Sequence, residues 1–130
     1  TCALPICEAM SIAADLIRGN TDTIILAHLI RGDSYGYQIN NNIRHATENQ
    51  YELKEATLYT AFRRLEEAGY ISSYWGDEIS GARRRYYTIT ELGKATYRQQ
   101  VDDWQRAYSI LSKLILNTNE SIQENKTEVL

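Results

Sequence analysis

The stretch that decides the fold begins with EATLYTAFRRLEEAG at residues 55–69. Within it, Leu58, Phe62 and Leu65 recur every third or fourth residue, as side chains on the buried face of a helix do. Gly69 follows and can adopt the left-handed backbone conformation in which many helices end. The stretch therefore predicts a helix over residues 55–68.

The next twenty residues, YISSYWGDEISGARRRYYTI at 70–89, predict a β-hairpin. The period falls from 3.6 to 2 in the runs 70–75 and 85–89, which are rich in aromatic and β-branched residues. Between them, residues 76–81 have the composition of a turn.

Two further helices are predicted before this stretch. Residues 15–31 carry a broad apolar stripe, which predicts a mostly buried first helix that Gly32 ends. Ser34 is a candidate N-cap for a second helix from Tyr35 to about Thr47. Its apolar side chains recur every fourth residue, its outer face is polar, and a polar loop over residues 48–54 follows. The stripe is Leu16, Ile17, Ile24, Ile25, Leu26, Leu29 and Ile30; the second helix has Tyr35, Ile39 and Ile43 inside and Gln38, Asn40, Asn41 and Asn42 outside.

A long last helix is predicted from Glu91 to about Leu116, with Thr90 as its cap. At 1.5 Å per residue it would reach roughly 40 Å, more than so small a domain can cover. Its apolar residues are spaced 4, 3, 4, 3, 4, the seam of a helix that packs along a partner helix, which predicts a homodimer. The seam is Tyr97, Val101, Trp104, Tyr108, Leu111 and Ile115.

The order of these elements predicts a mainly α (α+β) protein, a winged helix-turn-helix with a long C-terminal dimerisation helix. Residues 15–90 form the DNA-binding domain and residues 91–116 the dimerisation helix. Residues 1–14 are interpreted as an N-terminal extension that is partly non-native, and residues 117–130 as a flexible tail.

Composition narrows the function class. The net charge of −3 opposes nucleic-acid binding, but bases cluster at 63–64 and 83–85 while acids gather near the C-terminus. Cys2 and Cys7 precede the folded part and cannot complete a four-ligand zinc site, and neither His28 nor His45 has a metal-binding partner at i+4. We therefore expect no metal and no cofactor. No run of roughly 20 apolar residues is present, so no membrane span is expected and a cytoplasmic protein is.

The expected DNA contacts lie on the third helix, at its N-terminus and on the hairpin. The third helix would present Thr57, Thr60 and Arg64 opposite its core face, and Lys54 would meet phosphate at the positive helix end. Alternation along a strand means that at least one of the three hairpin arginines points away from DNA. Tyr86 and Tyr87 are interpreted as strand packing. The predicted contacts are Tyr35, Lys54, Thr57, Tyr59, Thr60, Arg63, Arg64, Arg83 and Arg84.

Several separate motifs resemble the PadR family of bacterial repressors across residues 16–115. They are DSYGY at 33–37, ATLY at 56–59, RRLE at 63–66, GARRRYY at 81–87 and TELG at 90–93. EATLYT at 55–60, ISSYWGDE at 71–78 and a single C-terminal helix carrying Trp104 resemble the short subfamily that includes a lactococcal multidrug-binding repressor. The resemblance implies autoregulation and repression of a neighbouring efflux pump.

The same resemblance implies a channel at the dimer centre, where Trp104 and its symmetry mate sandwich planar aromatic molecules. Tyr108 stands where the subfamily has an acidic residue, so a preference for cationic drugs does not follow; Asp22 and Asp103 are nearby acids whose direction the sequence leaves open. The implied lining is Leu16, Gly19, Thr23, Gln100, Val101, Trp104, Gln105 and Tyr108.

Other functions remain as alternatives. A phenolic-acid-responsive or ligand-independent repressor would have the same fold, and the acidic charge is compatible with a winged-helix module that binds proteins. An enzyme is not expected, because the sequence has no Gly-rich phosphate loop, no nucleophile elbow and no Cys–His pair in the folded part.

Overall fold

The computed structural model describes residues 15–76 and 83–116. The elements are α1 (Thr21–Leu29), α2 (Gly36–Ala46), α3 (Glu55–Glu67), β1 (Ile71–Gly76), β2 (Arg84–Ile89) and α4 (Glu91–Ile115). Their order confirms the predicted mainly helical winged helix-turn-helix with a long last helix. The chain divides into two compact units at the Tyr97–Arg98 bond, within α4. The predicted N-terminal extension with Cys2 and Cys7, most of the hairpin turn and the C-terminal tail lie outside the described residues.

The first predicted helix is interrupted, so the prediction of one helix over residues 15–31 was wrong. Residues 15–18 are helical, Gly19 and Asn20 form a turn, and α1 begins at Thr21. The Thr21 hydroxyl donates to the Arg18 carbonyl at 2.7 Å, and the Asn20 amide donates to the Leu16 carbonyl at 3.2 Å. Glycine's low helix propensity and these side-chain bonds to the preceding carbonyls end one helical segment and start the next.

Ser34 is not the N-cap of α2; that position belongs to Tyr35, whose backbone is extended. Ser34 is buried and exchanges two backbone hydrogen bonds with Tyr87 of β2, at 3.2 and 2.8 Å. Its hydroxyl donates to the Gln38 side chain at 2.8 Å. Because the pairing with Tyr87 holds Ser34 in a strand-like conformation, α2 begins after it.

Asn40 and Leu53 depart from the prediction of a polar outer face and a polar loop. Leu53 is only 3% exposed and belongs to the hydrophobic core. The Asn40 side chain donates to the Leu53 carbonyl and accepts from the Leu53 N–H, both at 2.7 Å. One amide therefore satisfies both backbone groups of a residue that the loop brings into the core.

The core lies where α1, α2, α3 and the hairpin meet. Leu58, Phe62 and Leu65 of α3 are all buried, as predicted, and the Phe62 ring stacks on Tyr87 of β2. Burying side chains of this size stabilises the fold by about 1.5–3 kcal/mol each. The other buried core residues include Ile25, Leu26, Leu29, Ile39, Ile43, Ala61 and Ile71.

The hairpin is antiparallel and pairs from Ile71 with Ile89 to Gly76 with Arg84. At its end Thr90 caps α4, as predicted: its hydroxyl accepts from the Gly93 N–H at 3.0 Å and donates to the Gly69 carbonyl at 2.7 Å. A Cβ added at Gly93 would lie 2.0 Å from the Tyr70 carbonyl oxygen, so only glycine permits this approach of α4 to the hairpin. Gly69 has a φ of 83° and ends α3 as predicted.

Candidate nucleic-acid interface and aromatic helix face

The outer surface of α3 carries several of the predicted DNA contacts. Tyr59, Thr60, Arg63 and Arg64 are exposed on the helix whose opposite side fills the core, whereas Thr57 is half-buried. The structure therefore presents most of the predicted set to solvent on one rigid element.

The start of α3 borders a cavity of about 330 Å³. Lys54 is the N-cap of the helix, is exposed, and makes no side-chain capping hydrogen bond. Lys54 and Thr57 line the cavity together with Arg44, whose guanidinium pairs with Glu52 at 2.7 Å. Burial raises the pKa of Tyr51, another lining residue. The basic groups at this end of α3 thus include Lys54, which no ion pair of the described residues engages.

Tyr35 and Arg84, two predicted contacts far apart in sequence, are in direct contact. The Arg84 guanidinium donates to the Tyr35 hydroxyl at 3.0 Å, and its carbon lies 4.6 Å from the centre of the Tyr35 ring. The Tyr35 ring also meets the Tyr86 ring edge-on, with centroids 5.3 Å apart. These contacts join the start of α2 to the hairpin and fix the direction of Arg84.

Tyr74 strengthens the same connection. Its ring stacks on Tyr86 with centroids 5.6 Å apart, and its hydroxyl donates to the Asp33 carboxylate at 2.6 Å. This hydrogen bond raises the pKa of Tyr74, because it stabilises the neutral hydroxyl. Tyr86 and Tyr87 are thus packing residues, as predicted, in two different clusters.

The three hairpin arginines have different surroundings. Arg85 donates to Glu66 of α3 at 3.1 Å and to the Ser73 hydroxyl at 2.8 Å, which ties β2 to α3. Arg83 is exposed, and its guanidinium carbon lies 5.4 Å from the centre of the half-exposed Trp75 ring. Sequence reasoning missed Trp75 and Glu66; the alternation that places Trp75 opposite Arg85 in the register was the available signal for Trp75.

Arg64 is held by Asp22 of α1, a contact that sequence reasoning also missed. Its Nε donates to one carboxylate oxygen at 3.3 Å, and its Nη2 donates to the other. The hydrogen bond with Asp22 raises the pKa of Arg64. The two residues are 42 positions apart, so no local pattern indicates their pairing.

The C-terminal unit presents an aromatic and apolar helix face. The Trp104 and Tyr108 rings stack with centroids 5.5 Å apart and planes at 22°, and Trp104 is 50% exposed. Leu111 and Ile115, further along the predicted seam, are also exposed. Asp103 accepts a hydrogen bond from Gln99 at 3.0 Å. The predicted lining residues Gln100, Val101, Gln105 and these aromatics lie in the C-terminal unit, whereas Leu16, Gly19 and Thr23 lie in the other.

No group of three or more metal-ligating side chains occurs among residues 15–76 and 83–116. His28 contacts the Ile24 carbonyl through Nδ1 at 2.8 Å, within its own helix. Over the same residues, no helix is both long and apolar enough to cross a membrane.

Residues 25–99 match the transcriptional regulator PadR-like family. The chain belongs to the PadR family. The match contains α2, α3, the hairpin and the start of α4, and it ends before Trp104. Members of this family regulate transcription, so this PadR-family chain is a transcriptional regulator and not an enzyme.

Individual relatives agree with the family. An uncharacterized protein of Lysinibacillus sphaericus is 43% identical over 100 residues, which are 77% of this chain and 92% of that protein. A transcriptional regulator from Clostridium thermocellum is 50% identical, with a TM-score of 0.72, over 78% of this chain and 98% of that structure. A PadR family transcription regulator from Clostridium difficile is 33% identical, with a TM-score of 0.66, over 74% and 98%. PadR-family regulators bind DNA and typically dimerise.

Proposed function

We propose that this PadR-family regulator is a repressor that binds, as a homodimer, operator DNA at its own gene and at a multidrug efflux transporter. Planar aromatic compounds bound at the dimer interface would act as its effectors. The observation that carries the DNA-binding part is that the family match coincides with an exposed α3 and with Arg84, fixed beside it by Tyr35. Such a protein acts on DNA in the cytoplasm.

In this proposal α3 enters the major groove and the hairpin follows the backbone. Thr60 and Tyr59 face the base edges, while Lys54 and Arg63 bind phosphates on either side. Arg83 and Arg84 bind phosphates from the hairpin. These local cations matter because the whole chain carries a charge of −3, which repels DNA at longer range.

Homodimerisation is supported by the exposed face of α4. Trp104, Tyr108, Leu111 and Ile115 are each at least half exposed and share the heptad seam. An isolated protomer would leave this apolar strip in water, which is unfavourable for a soluble monomer. A second copy would cover the strip with an identical one, as the two-fold symmetry of most dimers requires.

The aromatic effector is supported by the Trp104 indole. Tyr108 covers one side of it within the protomer, so the other side is available for a ligand or for the partner chain. A flat molecule between two symmetry-related indoles would gain about 0.5–1.5 kcal/mol per stacked face beyond area burial. Asp103 is engaged by Gln99 and Asp22 by Arg64, so neutral planar molecules fit this site better than strongly cationic ones.

Fluorescence anisotropy tests the proposed function. A labelled duplex of the promoter of this gene is titrated at about 150 mM salt, beside a mixed-sequence duplex of equal length. A specific repressor should bind the promoter about 10³-fold or more tightly than the mixed sequence. Equal affinity for the two duplexes would contradict operator recognition, and no binding to either would favour a protein-interaction module.

A further inference from the structure

The contact between Asp22 and Arg64 has the geometry with which an arginine binds a phosphate. Two parallel N–H groups, on Nε and Nη2, donate to the two oxygens of one carboxylate. Arginine binds the oxygens of a phosphate with the same planar fork. The phosphate-binding edge of Arg64 is therefore filled from within the protein.

Arg64 lies where DNA would be expected to reach it. It follows Thr57 and Thr60 on α3 at spacings of seven and four residues, so the three form one stripe along the helix. Its side chain is 55% exposed and that of Asp22 is 32% exposed. An ion pair this accessible to water is weak, so another anion can replace the carboxylate.

We propose that Asp22 is an affinity-determining residue, an intramolecular competitor that withholds Arg64 from the DNA backbone. The inference rests on the proposed function, because it requires α3 to lie against DNA. In the wild-type protein Arg64 stays with Asp22 and contributes no phosphate contact. Loss of the Asp22 charge releases the guanidinium, which then binds one additional phosphate.

Arg85 shows how the other flank of α3 differs. Its partner Glu66 also accepts from the Ser73 hydroxyl at 2.6 Å, and Ser73 in turn accepts from Arg85. That three-membered network joins α3 to the hairpin within the same domain and is an element of the fold. The Asp22–Arg64 pair instead joins the recognition helix to α1, next to Thr23 of the proposed ligand lining, and a single carboxylate can release it.

A double-mutant cycle tests the proposal. DNA affinity is measured for wild type, Asp22→Asn, Arg64→Gln and the double variant, with a mixed-sequence duplex of about 30 base pairs, enough for two half-sites. Asp15→Asn is the matched control, because Asp15 pairs with Arg18 at 2.7 Å in the same region but does not contact α3. Thermal unfolding of each variant confirms that it is folded.

Asp22→Asn should bind about tenfold more tightly than wild type at 50 mM salt and about threefold more tightly at 200 mM, as one added phosphate contact predicts. Arg64→Gln alone should change affinity less than about twofold, since the wild-type arginine is withheld. The double variant should match Arg64→Gln, and Asp15→Asn should match wild type.

Two results would overturn the proposal. If Arg64→Gln weakens wild-type binding and lowers the salt slope by about one, Arg64 already binds phosphate despite Asp22. If the double variant binds as tightly as Asp22→Asn, the carboxylate acts through its own charge and not through Arg64. Absence of DNA binding by the wild-type protein at low salt would instead overturn the proposed function, and the inference with it.

Discussion

The ring of Phe62 in α3 lies nearly parallel to the ring of Tyr87 in β2, with centroids 3.9 Å apart and planes at 14°. Phe62 is 1% exposed. The helix that we place in the major groove and the hairpin that we place on the backbone therefore share one stacked pair. This pair fixes the position of one DNA-binding element relative to the other.

Replacing Phe62 with Ala should destabilise the protein by about 3–5 kcal/mol, because it removes a large buried ring and leaves a cavity. Chemical denaturation monitored by circular dichroism measures the effect. Tyr37→Ala is the control: Tyr37 is exposed, and its loss should change stability by less than about 0.5 kcal/mol. Equal effects of the two substitutions would show that the stacked pair does not carry this part of the core.

The local features of the fold could be predicted from the sequence. The buried face of α3, its end at Gly69 and the Thr90 cap all depend on residues within a few positions of one another. The failures are long-range. Ser34 pairs with Tyr87 through the backbone, and this pairing overrides the serine's preference for an N-cap position.

The candidate site shows the same limit. Its residue types could be selected from the sequence, but the contact of Tyr35 with Arg84 and that of Asp22 with Arg64 join segments 49 and 42 residues apart. Such pairs depend on how the elements pack, and a single sequence contains no local pattern for them. The helix break at Gly19 was an exception, because glycine's low helix propensity was a local signal that the broad apolar stripe obscured.

The hairpin arginines should contribute to DNA affinity without sequence preference. Arg83→Ala should weaken binding to every duplex and lower the salt slope by about one, and Arg84→Ala should do the same if each arginine binds one phosphate. Thr60→Ala, on the exposed side of α3, should instead change the preferred sequence. Binding measured at several salt concentrations on two sequences separates these effects. The proposed orientation would be wrong if neither class of variant altered affinity or preference.

Dimerisation should depend on the seam of α4. Leu111→Asp should give monomers or aggregates, because a carboxylate would be buried at the centre of an apolar interface without a partner. Ser109→Asp adds the same charge about 120° away around the helix and should leave the dimer intact. Sedimentation velocity at micromolar concentration distinguishes the two. A wild-type protein that sediments as a folded monomer would contradict the dimer.

The aromatic site should be visible by fluorescence. A planar dye such as an acridine should quench tryptophan emission of the wild-type protein, and Trp104→Ala should reduce dye affinity at least about tenfold, or about 1.4 kcal/mol. Trp75→Phe is the control and should retain the affinity, since Trp75 lies on the hairpin. Unchanged affinity in a dimeric Trp104→Ala protein would restrict Trp104 to a packing role.

The central claim is that two copies of α3 and the hairpin bind one operator. Hydroxyl-radical footprinting of the promoter of this gene tests it most directly. The account predicts two protected patches related by a two-fold axis, with centres about one helical turn, or 34–36 Å, apart. A single unpaired patch, or a promoter with no protection at protein concentrations that saturate binding, would contradict it.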